Sequence, residues 1–273
     1  EEEINGASKG IDSCDVKDNR YTFVVKNVTV PRMYFVKSGD PNCLSPITPV
    51  WVEPGDVKVR AKSEFFVNCT VTGTANNEIF SAYNAEMKHF VDSISLCKAY
   101  DVTQNKTVID VGTGAGFPGL ALKIAFPNLQ VTLLDSLNKR INFLNEVIAA
   151  LGLTGVETIH GRAEDFAKPG KCREKYDLCV SRAVANLSTL SEYCLPFVKV
   201  GGKFISYKSE KIAEEMNAAQ HAVKILGGKM DGQVEFTLPD SDIYRNLFII
   251  TKEKSTPAKY PRKAGLPSKE PLS

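Results

Sequence analysis

The run from Val108 through Ile109, Asp110 and Val111 to Gly112, Gly114, Gly116 and Gly119 puts a carboxylate at the end of an apolar strand and closely spaced glycines after it. Glycines so placed let the backbone turn sharply and approach a ligand without a Cβ in the way. Val108, Ile109 and Val111 give a short buried strand. Pro118 opens a helix that Leu120, Leu122, Ile124 and Ala125 continue until Pro127 and Asn128 stop it. Strand, glycine turn and helix form half a βαβ unit with the chemistry of a nucleotide-cofactor loop. A tight strand-to-helix turn without a ligand is the plain alternative.

The register decides which cofactor. Gly114, Gly116 and Gly119 satisfy the G-x-G-x-x-G spacing of a dinucleotide site. Counted from the strand end, the glycines are instead Gly112, Gly114 and Gly116, with Phe117 after them and Asp110 just before. A pyrophosphate wants backbone N–H groups and a helix N-terminus, so a carboxylate is a poor neighbour for it. S-adenosylmethionine carries a sulfonium and an ammonium and no phosphate, and Asp110 favours it over NAD. The next strand, Val131 to Leu134, ends in Asp135, where a carboxylate can accept both ribose hydroxyls; both cofactor families use that acid.

Later strand ends add candidates. Gly161-Arg162-Ala163-Glu164 follows the third strand, and Ala163 or Glu164 can receive an adenine amino group, although Glu164 reads equally as an acid in a helix first turn. The fourth strand ends at Ser181-Arg182-Ala183. Arg182 can hold the cofactor carboxylate or an RNA phosphate in a bidentate pair, or form a surface salt bridge. Lys208 ends the fifth strand, as a phosphate contact or a solvated lysine. Arg182 and Lys208 are the candidates for positioning substrate.

The elements that must carry these residues alternate after residue 80. Helices are expected over 81–100, 119–126, 137–151, 163–167, 187–199 and 210–226, and strands over 107–111, 130–134, 156–160, 176–181 and 203–207. Strands over 230–238 and 244–251 without an intervening helix predict an antiparallel hairpin at the edge. This is an α/β, doubly wound, Rossmann-like sheet of the class I S-adenosylmethionine-dependent methyltransferase type. Residues 1–78 read as a β-rich segment, with short β-branched and aromatic runs punctuated by Pro31, Pro41, Pro46, Pro49 and Pro54. Residues 79–255 are the expected methyltransferase domain and 256–273 a basic C-terminal tail.

The chain has 273 residues, 43% of them hydrophobic, ample for a core. No apolar run reaches membrane-span length and Glu1 to Glu3 are unlike a basic signal start, so a cytoplasmic protein with no membrane association is expected. A formal charge of +2 is too small to imply a nucleic-acid partner globally, and any RNA affinity must come from local clusters. The tail supplies one: Lys252, Lys254, Lys259, Arg262, Lys263 and Lys269 against Glu253. It reads either as a mobile phosphate-binding arm or as a solvated terminus. Seven cysteines without C-x-x-C spacing and three histidines without ligand spacing leave no metal site expected.

Several ordered blocks carry a family resemblance. They are Lys88 to Ser93, Asp110 to Gly119, Leu133 to Arg140, Phe143-Leu144, Arg162 to Glu164, Ser181 to Ala185, Leu195-Pro196, Lys208, Arg245-Asn246 and Tyr260 to Pro267. From about Met87 onward the chain resembles the bacterial 16S ribosomal RNA guanine-N7 methyltransferase family RsmG, also called GidB. The resemblance implies cofactor contact through Gly112, Phe117, Ala163, Glu164 and Arg182, with Asp135 at the ribose. It implies a small-subunit rRNA or ribosomal-particle substrate, met by Lys139, Arg140, Arg245, Lys259, Arg262 and Lys263, and methyl transfer to guanine N7 by a monomer. Guanine N7 already bears a lone pair, so no general base is assigned. The absence of an Asn-Pro-Pro-Tyr tetrapeptide or a paired-cysteine nucleophile agrees with that chemistry.

The first 75 or so residues depart from the family, whose members are expected to carry an amphipathic helical segment there. Asn27-Val28-Thr29 and Asn68-Cys69-Thr70 are glycosylation triplets that arise often by chance. Two alternatives follow: another S-adenosylmethionine enzyme redirected by its N-terminal module, or a non-catalytic binding protein.

Overall fold

The computed structural model describes residues 2–4, 7–9, 22–25, 32–37, 47–60, 70–102, 106–182, 185–209, 213–239 and 243–272. Asn27, Asn68, Cys14, Cys43, Cys69 and Ala183 lie outside them. The chain divides into two compact units, Glu1–Lys88 with Leu238–Asp242, and His89–Thr237 with Ile243–Ser273.

The first unit contains three antiparallel pairs: β1 (Glu2–Ile4) with β2 (Ala7–Lys9), β3 (Arg32–Lys37) with β4 (Ile47–Val52), and β5 (Lys58–Arg60) with β6 (Thr70–Thr72). Residues 22–25, within the segment expected to be β-rich, are exposed and irregular. Helix α1 (Ala75–Ile94) starts six residues before its expected position and runs through the expected boundary at 78. Its early start has a tertiary cause. Buried Asn77 donates to the Trp51 carbonyl at 2.6 Å and accepts the Trp51 N–H at 2.9 Å, while the Glu53 carboxylate accepts the Asn76 N–H at 2.9 Å. An anion at a helix N-terminus meets its unpaired N–H groups, a signal that local periodicity does not contain.

The second unit is built on one seven-stranded sheet. Its strands are β7 (Thr107–Val111), β8 (Gln130–Asp135), β9 (Val156–His160), β10 (Tyr176–Ser181), β11 (Val198–Lys208), β12 (Gly228–Thr237) and β13 (Tyr244–Lys252). The order is β12-β13-β11-β10-β7-β8-β9, parallel from β9 to β11, with β13 antiparallel to both neighbours. The short link from β12 to β13 permits only an antiparallel return, whereas each parallel step needs a crossover. Those crossovers include α2 (Gly119–Ala125), α3 (Asn138–Ala150), α4 (Ala163–Phe166) and α5 (Leu187–Cys194). Helix α6 (Ala213–Ile225) precedes the hairpin, and α7 (Leu266–Lys269) lies near the C-terminus.

Helix α5 stops at Cys194, short of the expected Lys199, because a 3-10 turn containing Pro196 feeds directly into β11. The sheet is covered on both faces. One buried cluster includes Ile109, Leu190, Phe197, Phe204 and Phe248, the other Val108, Leu133, Leu144, Leu178 and Ile205. Neighbouring Val108 and Ile109 thus serve opposite faces, as the two-residue strand period requires. Strand order reverses between β7 and β10, and the carboxyl ends of these strands open a crevice there. Among the described residues, no helix is long and apolar enough to cross a membrane, and no group of acidic, histidine or cysteine side chains is placed to hold a metal.

Candidate active site

A cleft of about 600 Å³ lies at that crevice, lined by Gly112, Gly114, Phe117, Asp135, Ala163, Glu164 and Arg182 among others. The glycine loop after β7 forms its floor. Gly112 and Gly114 adopt φ of 75° and 62°, left-handed values that glycine accepts without strain. The N–H groups of Gly112 and Thr113 both donate to the Leu134 carbonyl, that of Gly114 to Asp135 Oδ2, and those of Gly116 and Phe117 to the Thr113 carbonyl. Five loop donors are therefore spent internally. A pyrophosphate would find no open N–H array here, while a nucleoside sulfonium without phosphate needs none.

Asp135 ends β8 beside the loop and is almost fully buried. Oδ1 accepts the Leu137 N–H at 2.9 Å, and Oδ2 accepts Gly114 N–H at 2.9 Å and Arg140 Nη1 at 3.2 Å. The two backbone donors fix the carboxylate, whereas Arg140 is half-exposed. On the far side, Ala163 and Glu164 open α4, and Glu164 Oε1 accepts the Gly265 N–H at 2.8 Å.

Arg182 reaches the cleft from the end of β10. Its guanidinium carbon lies 5.3 Å from the Phe117 ring centroid, and its Nη1 bonds Asp92 Oδ2 at 3.1 Å. The His89 ring also neighbours Phe117, tilted by 39° with centroids 5.9 Å apart. The opposite oxygen of Asp92 accepts Arg245 Nε at 2.7 Å. Asp92 sits in the block from Lys88 to Ser93 but carries no local signal of this role, because its partners lie 90 and 153 positions away. Tyr193, Gly265 and Ser268, which also line the cleft, carried no local signal because they come from distant segments.

Other expected site residues fall elsewhere. Asp110 is fully buried and outside the cleft lining: Oδ2 accepts Thr113 Oγ1 at 2.7 Å and the Gly119 N–H at 2.8 Å. Through these bonds it braces the loop against the start of α2, while Oδ1 is buried without a hydrogen-bond partner among the described residues. Burial raises its carboxyl from 3.8 to about 6, against the lowering effect of the Thr113 and Gly119 hydrogen bonds and the Arg182 charge. Gly116, also outside the lining, has φ of 98° and no room for a Cβ, which would meet Leu120 and Leu144 side chains at 2.9 Å. Lys208 lies outside the lining too; its Nζ donates to the Ala185 carbonyl at 2.6 Å and to Glu215 at 2.9 Å, holding the approach to α5.

The basic tail is no free arm over its described residues. Arg262 forms a forked pair with Glu192, with Nε to Oε1 at 2.9 Å and Nη2 to Oε2 at 2.7 Å, and Lys252 is buried against Leu195, Thr256 and Glu174. Lys139, Lys259 and Lys263 are exposed.

A doubly wound sheet with a reversed last strand, and a cleft at its switch point suited to an adenosyl group without phosphate, define an S-adenosylmethionine-dependent methyltransferase. Residues 74–243 match the family model of rRNA small subunit methyltransferase G, GidB, and the chain belongs to that family. Ribosomal RNA small subunit methyltransferase G of Lachnoclostridium phytofermentans is 56% identical over 185 residues, covering 68% of this chain and 76% of the relative. The protein of the same name from an Exiguobacterium species is 54% identical over 186 residues, covering 68% and 78%. Among solved structures, a chain from the complex between the Haloferax volcanii Trm112 methyltransferase activator and a methyltransferase shares the fold, with a TM-score of 0.50 and 15% identity over 63% of this chain and 93% of that one. Residues 2–80 match a different model, a domain of unknown function, DUF4369.

Proposed function

We propose that this protein transfers the methyl group of S-adenosylmethionine to a guanine N7 of small-subunit ribosomal RNA. The observation that carries the reading is the convergence of the spent-donor glycine loop, Asp135, Glu164 and Arg182 on one cleft, in a chain whose relatives are ribosomal RNA small subunit methyltransferases.

When bound, the cofactor supplies an electrophilic methyl group on sulfur. Gly112 and Gly114 let it approach the backbone, and Asp135, fixed by two backbone donors, accepts its ribose hydroxyls, with half-exposed Arg140 the donor that can give way. Ala163 and Glu164 meet the adenine. Arg182, held over Phe117 by Asp92, presents a cation to the cofactor carboxylate or to an RNA phosphate. Guanine N7 has its lone pair in place, so the side chains need to align and desolvate the reactants and move no proton. Lys139, Lys259 and Lys263 are the exposed cations offered to the phosphate backbone, and Arg245 acts through Asp92. The reading has the protein acting as a monomer in the cytoplasm.

The test is tritiated methyl transfer to unmodified small-subunit rRNA and to assembled particles, wild type beside Asp135→Ala, followed by nucleoside analysis. Labelled 7-methylguanosine from wild type alone supports the reading; label in another nucleoside or in protein overturns it. The separate domain match over residues 2–80 favours, as a second reading, an enzyme redirected to another acceptor, and the same product analysis distinguishes it.

A further inference from the structure

The C-terminal segment is stitched to the second unit along its length. Arg173 Nη1 donates to the Tyr260 carbonyl at 2.7 Å and its Nη2 bonds the carbonyl of Thr256. Arg262 then grips Glu192, whose carboxylate is 0% exposed and also accepts the Arg262 backbone N–H at 2.8 Å. A buried carboxylate is tolerated only when paired and hydrogen-bonded, and this one takes both from a single residue. Thr189 Oγ1 donates to the Pro267 carbonyl at 3.0 Å. Between these anchors the chain turns at Gly265, φ 83°, and sends the Gly265 N–H to Glu164 Oε1. Gly265 and Ser268 line the same cleft as Gly112 and Asp135.

We propose that residues 256–272 form a wall of the cofactor site, latched by Arg262 and Glu192, and that the Gly265 N–H orients Glu164 toward the adenine. This rests on the S-adenosylmethionine reading above. The Gly265 bond occupies Oε1 and leaves Oε2 without a partner among the described residues, an acceptor matched to an exocyclic amine on a purine. The basic residues of the segment thus divide by task. Arg262 is spent on architecture, while Lys259 and Lys263 remain at the surface.

The experiment is calorimetric titration of the full chain with S-adenosylmethionine, for wild type, Arg262→Ala, Ser268→Trp and the surface variant Lys263→Ala, beside rRNA binding at several salt concentrations. Arg262→Ala should weaken cofactor binding roughly tenfold or more with rRNA salt dependence unchanged. Ser268→Trp, at an exposed cleft position, should obstruct binding without touching the latch, which keeps the test decisive if Arg262→Ala unfolds. Lys263→Ala should leave cofactor affinity intact. Unaltered affinity in Ser268→Trp and in a folded Arg262→Ala, with wild type binding normally, overturns the inference alone. A wild-type chain with no cofactor affinity overturns the cofactor reading and this inference together.

Discussion

Asp92 and Arg182 form an ion pair 3.1 Å apart in which the carboxylate is 2% exposed and the guanidinium reaches the cleft. Arg245 holds the second carboxylate oxygen, so one acid near the end of α1 sets the position of two arginines from two different strand ends. Replacing Asp92 by Ala leaves both cations without their shared partner, and breaking a largely buried pair costs more than the pair is worth against an apolar replacement. Methyl transfer is expected to fall roughly tenfold or more, about 1.4 kcal/mol in the barrier, with Asp92→Asn intermediate. Steady-state kinetics checks this: a positioning role predicts a change in kcat or in KM at unchanged thermal stability of the Asn variant, whereas loss of stability alone would point to a purely structural acid.

Asp110 gives a pH prediction with a definite sign. Burial raises its carboxyl to about 6 in the folded chain against 3.8 for an ordinary aspartate, so between those values the folded state holds a proton that the unfolded state has released. Stability from this group is complete below pH 3.8 and is lost as pH rises through 6, by about 3 kcal/mol. Asp110→Asn removes the titration. Denaturant unfolding from pH 4 to 7 should show the variant gaining on wild type across that window, and a constant difference would reject the assignment.

Gly119 opens α2 directly over Asp110. A Cβ there would stand 2.6 Å from Leu133 Cδ2 and 2.8 Å from Asp110 Cβ, in a fully packed region. Gly119→Ala is expected to cost about 1–3 kcal/mol or more and to lower the thermal midpoint by roughly 3–10 °C. Calorimetry of the purified variant measures it directly.

The exposed lysines give a salt-dependence prediction. Lys139→Ala, Lys259→Ala and Lys263→Ala should each flatten the plot of log affinity for rRNA against log salt by about 0.7–0.9 where the lysine neutralises a phosphate. Filter binding at several ionic strengths reads the slope, and three unchanged slopes would place the RNA on another face.

The parallel sheet, its antiparallel last hairpin and the loop from Asp110 to Gly119 are legible along the chain. Each of these is written locally, in strand and helix periods, in glycine spacing and in the short link between two strands. The same patterns place Asp135, Glu164 and Arg182 at strand ends that must share a crevice, because a doubly wound topology brings such ends together. The direction each group faces depends on contacts made between distant segments. Asp110, expected to meet a ligand, turns inward because the Thr113 hydroxyl and the Gly119 N–H claim its Oδ2. Lys208 is drawn to Glu215, and Arg262, read as part of an RNA-binding arm, is held by a glutamate seventy positions away in the chain. Charge and spacing along the sequence name the groups able to form ion pairs, but the pairing follows from which surfaces the fold brings together, and a buried carboxylate such as Glu192 or Asp92 takes whichever guanidinium reaches it there.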